Sequence, residues 1–108
     1  GKASEIALPA LFRLGAAEMD RKKFTARLAG TTASLTAKEL RLAEVFAEHP
    51  GEVLSRDALL NAVWGVDYFG TTRTLDQHVA QLRKKVEPEP ESPVTILTVH
   101  GVGYRYEG

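Results

Sequence analysis

The stretch 72–87 constrains this chain more than any other. Leu75, Val79, Leu82 and Val86 fall within one arc of roughly 60° when each residue advances by 100°. The opposite arc carries Arg73, Gln77, Ala80, Gln81 and Lys84, with His78 and Lys85 on one flank and Asp76 and Arg83 on the other. A helix divided this way must bury its apolar stripe against other elements of the same chain. The 108 residues suffice for one such core without disulfide or metal support. Cysteine is absent, so neither a disulfide framework nor thiolate chemistry is open to this sequence.

Upstream, two more helices are expected. Thr36-Ala37-Lys38-Glu39 has the spacing of a capping box, in which the Thr36 hydroxyl accepts from the Glu39 amide and Glu39 reaches back. Leu40, Ala43, Phe46 and Ala47 follow at helical spacing, and His49-Pro50-Gly51 ends the run. Ser55 caps a shorter helix with Asp57 in its first turn and an apolar face of Leu59, Leu60, Val63 and Trp64, stopped by Gly65. Thr71 or Thr72 caps the third helix.

The ends of the chain carry a different period. Residues 11–14, 17–19, 24–28 and 32–35 are short apolar runs separated by turn residues, the pattern of a small antiparallel sheet. Beyond the third helix, Pro88, Pro90 and Pro93 hold a connector extended. Residues 94–99 and 104–106 then read as a β-hairpin, with Gly101 and Gly103 as candidates for positive φ in its turn. Residues 1–10 are expected to be a linker or vector-derived remnant, and 11–108 the folded domain.

Two helices followed by a third with a polar outer face suggest helix-turn-helix, and a hairpin directly after that helix is a wing. The formal net charge is zero, so any affinity for phosphate must come from charge distribution. Four cations (Arg73, Arg83, Lys84, Lys85) stand against Asp76 between 73 and 85, while Glu87, Glu89 and Glu91 gather behind them. This fits a phosphate-binding helix and equally a solvated face with an acidic loop. His49, His78 and His100 lack metal-ligand spacing. His-Glu-x-x-His, a phosphate loop and Gly-x-Ser-x-Gly are all missing, so neither an enzyme nor a cofactor is expected. No apolar run is long enough for a membrane span.

Four segments together resemble the OmpR/PhoB-type effector domains of bacterial response regulators. They are Leu35-Thr36-x-x-Glu39-Leu40; Leu54-Ser55-Arg56-Asp57-x-Leu59-Leu60-x-x-Val63-Trp64-Gly65; Arg73-Thr74-Leu75-Asp76-x-His78-Val79-x-x-Leu82-Arg83-Lys84-Lys85; and Ile96-x-Thr98-Val99-x-Gly101-Val102-Gly103-Tyr104-Arg105. The resemblance covers about residues 11–106. It implies an α+β fold: a four-stranded N-terminal antiparallel sheet, a three-helix bundle and a C-terminal hairpin wing. It also implies a cytoplasmic regulator of transcription in a two-component, phosphorelay system. Such domains bind direct-repeat promoter DNA as head-to-tail dimers, usually behind a receiver domain.

By the same resemblance, the helix at about 72–87 enters the major groove and the wing at about 99–104 the minor groove. Thr74, Gln77, Gln81 and His100 then contact bases. Trp64, Arg73, His78, Arg83, Lys84, Thr98 and Tyr104 contact phosphates. Asp67, Tyr68 and Phe69 form a loop that in some relatives meets RNA polymerase. Relatives often have arginine at positions 81 and 100. Glutamine at 81 suits adenine instead, and histidine at 100 makes a weaker, pH-dependent minor-groove contact. Asp76 either pairs with a cation such as Arg56 or accepts from a cytosine amino group. A second function class stays open: a protein-interaction winged helix using Tyr68-Phe69 and the wing, with little DNA affinity.

Overall fold

A computed structural model describes residues 8–65, 68 and 70–108. Its first sheet has strands β1 (Leu11–Leu14), β2 (Ala17–Asp20), β3 (Thr25–Leu28) and β4 (Thr31–Ser34) in sequential antiparallel order. Leu14 faces Ala17 and Leu28 faces Thr31, so two of the turns have two residues each. The pleat sends Phe12, Leu14, Ala17, Met19 and Ala26 to one face, all buried, while Leu11, Arg13 and Arg27 face solvent. These strands follow the expected alternation to within a residue or two. Packing begins upstream of residue 11. Leu8 lies against the core, and its carbonyl accepts from Arg21 Nη1.

Three helices follow, α1 (Ala37–Glu48), α2 (Arg56–Trp64) and α3 (Thr72–Val86); α1 and α3 pack on the sheet, and α2 packs on both of them. Both arms of the Thr36–Glu39 capping box form, at 3.1 Å from the Glu39 amide to Thr36 Oγ1 and 2.9 Å from the Thr36 amide to Glu39 Oε1. Ser55 Oγ accepts from the Ala58 amide at 3.0 Å. Thr71 is the N-cap of α3, with no side-chain hydrogen bond to the helix. Leu75, Val79, Leu82 and Val86 are fully buried, as their 60° arc requires. They meet Phe46, Leu59 and Ile96 in one continuous core.

The C-terminal hairpin, β6 (Ile96–Val99) and β7 (Gly103–Tyr106), is joined by a strand the sequence did not signal, β5 (Val53–Ser55), giving sheet order β5-β7-β6. Three residues are too few for a period-two pattern to register. β5 ends on Ser55, the cap of α2, so the wing is tied to the start of that helix. The Arg56 amide donates to the Val102 carbonyl at 3.3 Å.

Two expectations change here. Gly101 takes positive φ (81°), but Gly103 does not. Gly103 is glycine for space, because a Cβ there would lie 2.0 Å from the Leu54 carbonyl oxygen. Glu87 is also not part of an acidic loop. It is 1% exposed and accepts from the amides of Val94 (2.9 Å), Thr95 (3.0 Å) and Ile96 (2.7 Å). A carboxylate satisfied by three amides can be buried at modest cost. It folds the proline-rich connector back and delivers β6 to the core.

Candidate nucleic-acid interface

The face of α3 opposite its buried stripe exposes Arg73, Gln77, Ala80, Gln81 and Lys84. Nothing on this face is a large apolar group, and both glutamine amides lack an intramolecular partner among the described residues. Beside it stands the wing turn between β6 and β7, with His100 and Val102 exposed and Thr98 exposed on the strand leading to it.

One flank of α3 is bolted to the wing and to α2. Asp76 Oδ1 accepts from Arg56 Nε at 3.0 Å and from the Tyr104 hydroxyl at 2.6 Å. Arg83 donates from Nε (3.1 Å) and Nη2 (2.7 Å) to the Ile96 carbonyl, and from Nη2 to Thr98 Oγ1 at 3.0 Å. The guanidinium carbons of Arg56 and Arg83 lie 5.7 and 5.4 Å from the centre of the Tyr104 ring, within cation–π range. Burial, and then the hydrogen bond to Asp76, pushes the Tyr104 hydroxyl up to about 12. Asp76 therefore takes the pairing role with Arg56. Tyr104, at 4% exposure, donates its hydroxyl to Asp76, and the Arg83 fork is directed at the wing backbone. Both were expected to contact phosphate; here they hold helix and wing together.

Lys85 also leaves the free basic cluster. Its Nζ is 2.6 Å from the Ser34 carbonyl and 2.6 Å from Glu39 Oε1, so it links α3 to the capping box of α1.

The other flank is aromatic. The Trp64 ring lies 4.9 Å from His78, edge to face, and 5.9 Å from Tyr68. Lys38 Nζ sits 5.5 Å from the Trp64 ring centre and donates to the Val63 carbonyl. Tyr68 donates to Thr74 Oγ1 at 3.2 Å, which leaves the Thr74 hydroxyl proton free to donate. His78 Nδ1 is 2.8 Å from the Thr74 carbonyl, so that nitrogen is the donor. A neutral His78 then carries a lone pair on Nε2, and it can donate outward only as imidazolium. Asp67 and Phe69 of the expected polymerase loop lie outside the described residues, while Tyr68 is half-buried against Trp64.

Sequence reading found the exposed face but missed the bracing role of Arg83 and Tyr104. The signal was weak in kind: a buried tyrosine and an arginine on a helix flank are compatible with either a strut or a phosphate donor. Among the described residues no helix is long and apolar enough to cross a membrane, and no group of three or more histidine, aspartate or glutamate side chains is placed to hold a metal.

Comparison with known proteins agrees with this architecture. The family model "Transcriptional regulatory protein, C terminal" matches residues 30–106. The chain is 44% identical over 94 residues to the sensory transduction protein RegX3 of Mycobacterium tuberculosis, covering 87% of this chain and 41% of that protein. It thus spans about two-fifths of the length of such relatives. Among solved structures, the DNA-binding domain of Escherichia coli CadC superposes with a TM-score of 0.79 at 32% identity, covering 93% of this chain and 94% of that one. The Klebsiella pneumoniae RstA DNA-binding domain, determined in complex with the RstA box, gives 0.74 at 30% identity, covering 91% and 97%. With its four-stranded sheet, three helices and C-terminal hairpin, the chain belongs to the OmpR/PhoB-type family of transcriptional regulatory C-terminal domains.

Proposed function

We propose that this domain binds double-stranded promoter DNA in a sequence-specific manner, as the output module of a two-component response regulator. The observation that carries the reading is the joining of two reading elements into one surface. α3 exposes Arg73, Gln77, Gln81 and Lys84, and Arg83 ties the wing directly to the same helix. α3 would lie in the major groove and the turn 99–104 in the adjacent minor groove. Thr74, Gln77 and Gln81 are the base-edge candidates, with His100 in the minor groove. Arg73, Lys84, Thr98, Trp64 and, as imidazolium, His78 are the phosphate candidates. The RstA domain in complex with its box, which shares the fold at 30% identity, supports the same assignment.

The remaining length of the relatives is the place for a receiver domain, and pairing through it would favour head-to-tail dimers on direct repeats. Contact with RNA polymerase would fall to the loop at 65–71, resting mainly on Asp67 and Phe69. The half-buried, hydrogen-bonded Tyr68 speaks against a broad aromatic docking surface there, which weakens the reading as a protein-interaction module.

Selection of bound duplexes from a random library at about 150 mM salt tests the proposal. A direct repeat with half-sites about one helical turn apart is the expected product. Lys84→Glu should weaken binding to all sequences alike and lower the salt slope by about one. Lys84 is the right probe because Arg83→Glu would also release the wing. Recovery of no preferred sequence would overturn the proposal.

A further inference from the structure

We infer that the half-site core read by this domain is A·T-rich, with two adenines about two base pairs apart read by Gln77 and Gln81 and a thymine methyl met by Ala80. The inference rests on the DNA-binding reading above and deepens it.

It follows from which groups on α3 are left available. Asp76, the one carboxylate that could accept from cytosine, is held by Arg56 and Tyr104. Arg83 and Lys85, which could read guanine, are held by the wing backbone and by Ser34 and Glu39. Arg73 and Lys84 remain exposed at the two ends of the face. At 1.5 Å per residue they are about 16 Å apart along the axis. The major groove is only about 12 Å wide, so the two cations reach its phosphate walls rather than its floor. The middle of the face is Gln77, Ala80 and Gln81, all exposed.

A glutamine amide offers one donor and one acceptor, the complement of adenine N7 and N6. Gln77 and Gln81 are one helical turn apart, about 6 Å along the axis, which is close to two base steps of 3.4 Å. Ala80 lies between them along the axis and flanks Gln77 on the side away from Gln81, about 60° round the helix. Its methyl is small enough to let the helix approach the groove floor and apolar enough to pack on a thymine C5-methyl.

The test sequences the duplexes selected by the wild-type domain and by Gln81→Arg, and then titrates the winning duplex with thymine replaced by deoxyuracil. The expected wild-type product has adenine at two positions two base pairs apart, each favoured roughly 5- to 150-fold. Gln81→Arg moves one of those positions to guanine and leaves the other unchanged. Removing the thymine methyl opposite Ala80 weakens wild-type binding about fourfold, the worth of one buried methyl. This arm needs no variant, so it stands whatever Gln81→Arg does to folding. A selected site with guanine at the two positions, or a Gln81→Arg site identical to that of the wild type, overturns the inference and leaves DNA binding intact. Recovery of no preferred site defeats the underlying DNA-binding reading instead.

Discussion

Replacing Glu87 with alanine should be the most damaging single change at the junction of recognition helix and wing. The carboxylate is 1% exposed and accepts from three consecutive amides. Val94 is 65% exposed, so water can take over its amide. Thr95 and Ile96 are 4% and 0% exposed, and their amides would be left without a partner. Each orphaned buried amide costs about 1.5–2.5 kcal/mol, within the range for a lost hydrogen bond to a charged acceptor. The sum is about 3–5 kcal/mol, against a total stability of about 5–15 kcal/mol for a domain of this size. In heat this corresponds to a fall in Tm of at least about 12 °C. Urea unfolding followed by fluorescence of the single tryptophan, Trp64, measures it directly. The midpoint should fall while the slope m stays constant, the mark of lost stability rather than altered compactness. Glu87→Gln keeps one acceptor oxygen and should cost only about 1–2 kcal/mol. A loss below about 1 kcal/mol for Glu87→Ala at unchanged m would refute the claim that this carboxylate anchors the connector.

Three further outcomes follow from the same geometry. Gly103→Ala would place Cβ 2.0 Å from the Leu54 carbonyl oxygen; it should cost about 1–3 kcal/mol by forcing β5 and β7 apart and weaken DNA binding with it. Gly101→Ala meets no atom within 4 Å, so it should cost only the left-handed backbone penalty of about 1–2 kcal/mol; equal effects on wing attachment would contradict the distinction. Asp76→Ala should lower the folded-state stability measured by urea unfolding about 1–3 kcal/mol further than Arg56→Ala does. The ion pair is about a third exposed and screened by solvent, but only the aspartate change orphans the buried Tyr104 hydroxyl. Tyr104, raised from 10.0 to about 12, stays protonated in the folded state where the unfolded chain has already lost the proton. Its contribution is therefore intact below pH 10 and lost between pH 10 and about 12. Over that window the wild type should lose up to about 3 kcal/mol more than Tyr104→Phe, as seen by chemical denaturation at each pH; parallel curves would contradict the assignment.

Much of this domain was determined by local sequence. The helices announce themselves through Thr36–Glu39, through Ser55 and through the Leu75–Val86 stripe, because caps and 3.6-residue periodicity act between residues a few positions apart. The N-terminal strands are legible for the same reason, through alternation and turn residues. The outer face of α3 is legible too, since it is the complement of the buried stripe. What only tertiary structure decided is how the charged flanks are used. Arg83, Asp76, Tyr104, Lys85 and Glu87 have partners 7 to 51 positions away in sequence. Whether a long polar side chain meets solvent, a phosphate or a distant carbonyl depends on which backbone groups the fold leaves unpaired nearby. The same holds for β5, three residues that become a strand only because β7 offers an open edge, and for Gly103, whose need for a missing side chain is set by a carbonyl almost fifty residues upstream. Local rules choose the elements and their faces; the polar groups left unpaired when those elements pack decide which charges remain to meet a ligand.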